Sequence, residues 1–153
     1  MAFSVVLDTN IFLNVKNKEP PYFESSSAVI DAVDASRFLG VVSTITLAEL
    51  STGYNLRGDG VGKRELFDHL LSTDGYRLVP IDAAAADLSG EIRAKTNLPL
   101  PDAIIISTGV LQGASYIITH DKEFEKSKQY LEPISARDFM HKISKGDDAA
   151  SSA

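Results

Sequence analysis

Residues Phe3 to Asn10 read F-S-V-V-L-D-T-N. The apolar run Phe3–Leu7 is short and rich in β-branched residues, and Asp8-Thr9-Asn10 ends it abruptly. A run of this length without polar alternation is the signature of a strand buried on both faces. The residues after it favour a helix cap or a turn. A strand covered on both faces belongs to a parallel sheet, so these eight residues already point to an α/β fold.

Working outward, the same grammar repeats. Glu19-Pro20-Pro21 breaks any helix that enters it, and the stretch Lys16–Ser27 reads as an extended first loop. Glu24–Leu39 has helical spacing at Ala28, Val29, Ala32, Val33 and Phe38. Val41–Thr44 reads as a second strand. Thr46–Leu56 reads as a helix, with Thr46 and Glu49 at capping-box spacing, and Asn55–Gly62 as a glycine-rich loop. Lys63–Leu71 is an amphipathic helix, Tyr76–Ile81 a third strand, and Asp82–Lys95 a helix capped by Asp82. Asn97–Pro101 is a loop and Asp102–Leu111 a buried helix. Tyr116–Thr119 is a fourth strand, Tyr130–Ile134 a fifth at an edge, and Ala136–Ile143 a last short helix. Strands alternating with helices predict a three-layer α/β/α domain around a mainly parallel sheet. We expect one such domain over residues 1–145 and a disordered tail over 146–153 (G-D-D-A-A-S-S-A).

Composition narrows the function. The chain has 153 residues, 44% hydrophobic and 24% charged, the ordinary mix of one globular domain. It contains no cysteine, which excludes disulfides, cysteine-bound zinc, iron–sulfur clusters and thiol catalysis. No apolar run reaches about 18 residues, and no basic region precedes an apolar stretch at the N-terminus. The expectation is a cytoplasmic protein with no membrane contact. The formal net charge of −6 argues against sequence-independent coating of nucleic acid. It leaves room for an enzyme whose acids hold cations that in turn meet phosphates.

Ligands of such sheets bind beyond the carboxyl ends of the strands. Asp8 follows the first strand, and Asp121 the fourth. Glu49 lies in the first turn of the helix after the second strand, and Asp102 opens the buried helix. Each alone has a plain structural explanation as a cap, a first-turn acid or a turn residue. Together they repel one another and shed hydration, which a cation offsets. An oxygen-only donor set suits Mg²⁺ or Mn²⁺. Such ions activate water and stabilise a leaving oxygen.

Leu7-Asp8-Thr9-Asn10, Ala48-Glu49-Leu50, Leu100–Ile105 (L-P-D-A-I-I) and Thr119–Phe124 (T-H-D-K-E-F) together resemble the four motifs of the PIN domain. Order, spacing and strand or helix context agree over roughly residues 3–140. The small format most resembles VapC-type toxins of toxin–antitoxin systems. The resemblance implies a Rossmann-like fold and a metal-dependent endoribonuclease. It implies Asp8, Glu49, Asp102 and Asp121 as the metal-binding, catalytic acids, with Mg²⁺ or Mn²⁺ as cofactor. Glu123 is implied as an auxiliary acid, and Thr9, Asn10 and Thr119 as small polar residues that order the site. Glu49 would act through water or at a second ion. The implied products are a 5′-phosphate and a 3′-hydroxyl.

His69, His120 and His141 are scattered, and His120 is expected to be an exposed bystander. Two divalent ions would bring the formal charge from −6 to about −2, so a phosphate backbone needs no broad basic face. Arg57, Lys63, Arg64, Arg93 and Lys95 are candidate phosphate contacts or, singly, solvated helix faces. Single-stranded or looped RNA suits a narrow acidic site better than duplex. The resemblance also implies a homodimer and a groove for an antitoxin protein.

Other readings differ in what they require. A phosphoacceptor receiver domain needs an acidic pair before its acceptor, which Asp8 lacks. A non-catalytic binding module of the same fold predicts a broken acidic set, whereas all four acids stand here. A housekeeping RNA-processing nuclease shares the chemistry, and the chain itself does not distinguish it from a toxin.

Overall fold

The computed structural model describes the backbone of residues 3–152 and the side chains of residues 3–146. Five strands, β1 (Ser4–Leu7), β2 (Leu39–Ser43), β3 (Tyr76–Val79), β4 (Tyr116–Ile118) and β5 (Pro133–Ile134), form one sheet in the order β3-β2-β1-β4-β5. Each neighbouring pair is parallel. The helices are α1 (Thr9–Lys16), α2 (Phe23–Asp34), α3 (Thr44–Leu56), α4 (Gly60–Ser72), α5 (Ala83–Thr96), α6 (Leu100–Leu111) and α7 (Ala136–Ser152), with a 3₁₀ turn at Lys122–Ser127.

The unbroken apolar run of β1 is explained by what its two faces meet. Val5, Val6 and Leu7 are fully buried. Val5 and Leu7 join a core with α1, α2 and α7 residues such as Ile11, Val29 and Phe139. Val6 points the opposite way, into a core with Ile92 of α5 and Ile105 and Ile106 of α6. The strand's period of two therefore sorts side chains between two apolar layers. Val41 and Val42, and Ile117 and Ile118, divide in the same way. Each fully buried aliphatic side chain contributes about 1.5–3 kcal/mol. This is the expected three-layer α/β/α arrangement.

Helix α6 lies close over the sheet because Gly109 lacks a side chain. A Cβ there would stand 2.5 Å from Leu131 Cδ2 and 2.8 Å from Val6 Cγ1. Buried hydroxyls fasten α6 to α5, with Ser89 Oγ and Ser107 Oγ 2.8 Å apart. This packing sets the height of α6, and hence of Asp102 in its first turn.

Several local expectations change. Asp8 is followed by a full helix, α1, and the first loop is correspondingly short, since α2 already begins at Phe23. α4 starts at Gly60 because Asp59 caps it, accepting from the Gly62 amide at 2.9 Å. α6 starts at Leu100, with Pro101 in its first turn, where a missing N–H is harmless. Thr46 and Glu49 form no capping box. Ser43 caps α3, its side chain accepting from the Ile45 amide, and Thr46 sits inside the helix. The last helix extends well beyond Ile143. The tail expected over 146–153 lies, but for Gly146, outside the residues whose side chains are described.

The sheet order places β1 between β2 and β4. The chain builds outward from β1 to β3, then returns to lay β4 on the other side of β1. A crevice forms at such a reversal, beyond the carboxyl ends of the two strands.

Candidate active site

Asp8 leaves the end of β1 in extended conformation, and its side chain does not cap α1. Its amide donates to Ile118 O at 3.1 Å, so the ends of β1 and β4 are joined where the strands finish. The Asp8 residue is 5% exposed. Thr119, the residue after β4, donates its hydroxyl to Asp8 Oδ2 at 2.7 Å. The same hydroxyl accepts from the Asp121 amide at 3.0 Å. One threonine thus fixes both the first acid and the backbone that carries the last.

A second hydroxyl relay serves Glu49. Thr9 donates to Glu49 Oε1 at 2.7 Å. Thr9 Oγ1 also lies 3.0 Å from Thr46 Oγ1. A carboxylate only accepts, so Thr9 gives its proton to Glu49 and Thr46 donates to Thr9. The Thr46–Glu49 spacing that reads as a capping box instead puts two polar groups on the α3 face turned toward α1.

Asp121 Oδ1 accepts from the Glu123 amide at 3.0 Å and starts the 3₁₀ turn. The exposed Glu123 carboxylate pairs with Lys126. Asn10 Oδ1 is buried and has no hydrogen-bond partner, an unfavourable state for a polar atom.

The acids share one field. Burial pushes Asp8 up to about 7. The Thr119 hydrogen bond and the Thr9 amide oppose that rise, and the Asp102 and Asp121 charges add to it. Asp102 rises to about 6, through burial first and then through the charges of Asp121, Glu49 and Glu123. The four principal acids and Glu123 are therefore brought together electrostatically. Among the described residues, however, no three Asp, Glu or His groups close to the geometry of a metal cage. Asp8, Glu49 and Asp121 each give an oxygen to a threonine or an amide.

The donor set fits a hard divalent cation. It is made of carboxylate oxygens, and burial first, then neighbouring carboxylate charges, raises two of its acids. Asp8, Asp102 and Asp121 are the residues suited to hold such an ion directly.

His120 is not the exposed bystander expected from the sequence. It is half-buried, its Nδ1 lies 2.8 Å from Asn14 Oδ1, and its Nε2 accepts from the Ala136 amide at 3.3 Å. The amide can only donate, so Nδ1 carries the proton and the ring is neutral. Burial also holds its pKa below the ordinary value. Tyr22 stacks on this ring with centroids 4.2 Å apart and planes 13° from parallel. Asn14, which also accepts from the Ser26 hydroxyl at 3.2 Å, and Tyr22 carried no sequence signal, because their partner His120 lies in a distant segment. Of the candidate phosphate contacts, Arg93 binds the carbonyls of Asn97 and Leu98 at the end of α5. Lys95 pairs with Glu91, Arg57 donates to Asn17, and Lys63 donates to Asn55.

The family model described as the PIN domain matches residues 5–129. The chain belongs to the PIN domain family. All four acids, both hydroxyl relays and His120 fall within the matched span of this PIN domain. No curated protein matches it in sequence. Among solved structures it is similar in fold to a chain of VapBC2 from Rickettsia felis bound to a DNA fragment from their promoter. That match has 21% identity, 87% of this chain and 98% of that chain covered, and a TM-score of 0.69. It is also similar to the sarcin–ricin loop-cleaving toxin VapC20 from Mycobacterium tuberculosis, at 16% identity, 80% and 94% coverage and a TM-score of 0.66. FitAcB from Neisseria gonorrhoeae gives 22% identity, 86% and 97% coverage and a TM-score of 0.65.

Proposed function

We propose that this PIN domain is a Mg²⁺- or Mn²⁺-dependent endoribonuclease and the toxin of a toxin–antitoxin pair. The observation that carries the reading is the placement of Asp8 and Asp121 at adjacent strand ends, joined through Thr119 and facing the field of Asp102 and Glu49. The sarcin–ricin loop cleavage named for VapC20 supports an RNA substrate. The VapBC2 complex supports an antitoxin partner.

In this reading Asp8, Asp102 and Asp121 hold the cation, and Glu49 acts through water or at a second ion. A divalent ion, when bound, supplies Lewis acidity toward water and toward the phosphate. Thr119 keeps Asp8 oriented and lowers its proton affinity. Thr9 and Thr46 hold the Glu49 carboxylate, Asn10 offers its free carbonyl oxygen, and Glu123 is an auxiliary acid. Single-stranded or looped RNA is the substrate class, since a backbone must enter a crevice between strand ends. The protein acts as a cytoplasmic homodimer built from one domain over residues 1–145. Among the described residues no helix is long and apolar enough to cross a membrane.

Cleavage of end-labelled single-stranded RNA with Mg²⁺, with Mn²⁺ and with EDTA tests the activity, beside Asp102→Asn. Cleavage that needs the metal and is lost in the variant is the expected result. Equal cleavage by Asp102→Asn, or cleavage in EDTA, would overturn it. Growth arrest on expression, relieved by a co-expressed neighbouring protein, is the expected sign of a toxin. Unimpaired growth with active nuclease would favour RNA processing.

A further inference from the structure

Beside the acids lies a cavity of about 260 Å³, walled by Tyr22, His120, Asp121, Lys122, Glu125 and Ile134 among others. Ligand pockets for drug-sized molecules run roughly 300–1,000 Å³, so this one suits a single ring system better than an extended chain. Asp121 belongs both to this cavity and to the acidic crevice, which makes the two spaces neighbours. The aromatic wall is prepared in advance. His120 is locked by Asn14 and the Ala136 amide, and the locked ring supports Tyr22 in a near-parallel stack. Tyr22 remains 39% exposed.

The charge of the cavity decides what it takes. Two carboxylates, Asp121 and Glu125, face one ammonium, Lys122. There is no surplus positive charge to hold a phosphate. Aromatic rings, Pro133 and Ile134 instead favour an uncharged planar group. Both His120 nitrogens are used by the protein, so the ring offers packing and no proton transfer. A nucleobase is a planar group, attached one sugar away from its phosphate, and bases stack readily on aromatic side chains.

We propose that this cavity receives one unpaired nucleobase of the RNA, next to the phosphate held at the acids, and stacks it against the Tyr22–His120 pair. The inference rests on the nuclease reading for the position of that phosphate. It assigns Tyr22 a substrate-binding role outside the acidic motifs, and His120 the role of positioning Tyr22.

The test is equilibrium binding of fluorescent single-stranded oligoribonucleotides to the protein with its acids intact, in Ca²⁺ in place of Mg²⁺ so that an oxygen-preferring ion fills the carboxylates, read by anisotropy. Tyr22→Ala and Tyr22→Phe are compared under those conditions, with a set of oligonucleotides each lacking one base. Loss of one stacked base by alanine substitution weakens binding about 5- to 150-fold. Tyr22→Ala is expected to fall in that range and Tyr22→Phe to stay within about 2-fold of the protein that keeps Tyr22. Removing the base at one position is expected to abolish the Tyr22→Ala penalty, which a general loss of folding does not do. Equal affinity with and without the Tyr22→Ala substitution overturns the proposal and leaves the cavity to a protein partner. A penalty that persists at every abasic position also overturns it, as does absence of binding. The nuclease reading fails separately, on metal-dependent cleavage by the unsubstituted protein. A base-specific cycle without cleavage would keep the base site and refute the nuclease.

Discussion

Thr119 reaches across 111 positions of sequence to donate a 2.7 Å hydrogen bond to Asp8, while its oxygen accepts the Asp121 amide at 3.0 Å. This bond is the chief influence holding Asp8 down against the rise caused by burial. Thr119→Val keeps the shape and removes both functions. It is expected to raise the Asp8 pKa further, weaken Mn²⁺ binding near neutral pH and cost about 1–3 kcal/mol of stability. Thr119→Ser is expected to retain most of each. Calorimetric Mn²⁺ titration and denaturant unfolding read the two effects, and a Thr119→Val protein that binds Mn²⁺ normally would contradict the assignment.

Asp8 also gives stability a defined pH dependence. Burial lifts its pKa from 3.8 to about 7. Over that interval the folded chain keeps a proton that the unfolded chain has released. Stability therefore falls as pH rises from about 4 to about 7 and is level beyond. Asp102, lifted to about 6, adds in the same direction. In EDTA, Asp8→Asn is expected to be more stable than the unsubstituted protein by a margin that grows from about pH 4 to about pH 7, reaching a few kcal/mol at most. Thermal melts of both proteins at about pH 4.5, 6 and 7.5 span the interval and measure it. A margin that shrinks with pH would refute the burial argument.

Thr9→Val breaks the relay from Thr46 to Glu49. It leaves the buried Thr46 hydroxyl without that partner and frees the exposed Glu49 carboxylate. The expected outcome is a stability loss of about 1–2 kcal/mol with a fall in cleavage rate larger than the fall in RNA affinity. Single-turnover kinetics separate the two, and equal losses in rate and affinity would count against Glu49 as a site residue.

Gly109→Ala tests how α6 is seated. The added methyl meets Leu131 and Val6 well inside normal contact. A cost of about 1–3 kcal/mol is expected from overpacking, read as a lower denaturant midpoint. No change in midpoint would show that the helix does not need the close approach.

The fold was legible because β1 is fully buried on both faces, and a short apolar run states that directly. Three of the acids were legible because Asp8 and Asp121 follow strands and Asp102 lies in a helix's first turn, positions that sequence order reveals. Glu49 was expected in a first turn as well, but α3 starts at Thr44 under the Ser43 cap, which puts Glu49 in the second turn. The first helix was harder to read: no feature of Thr9–Lys16 outweighs the turn signal of Asp8-Thr9-Asn10. The role of Thr46 was hidden by a spacing that suits two different structures, a cap or a relay. His120 was misjudged because its partners, Asn14 and the Ala136 amide, lie 106 and 16 residues away. Such contacts depend on the finished sheet order.

Metal binding by the assembled acids is the centre of the account, and Mn²⁺ titration calorimetry at about pH 6.5, just below the raised Asp8 pKa, tests it most directly. The unsubstituted protein is expected to bind with release of protons, since Asp8 holds one in part at that pH. Asp8→Asn, Asp102→Asn and Asp121→Asn are each expected to lose most of the affinity. Binding unchanged in Asp8→Asn, or binding without proton release, would contradict it.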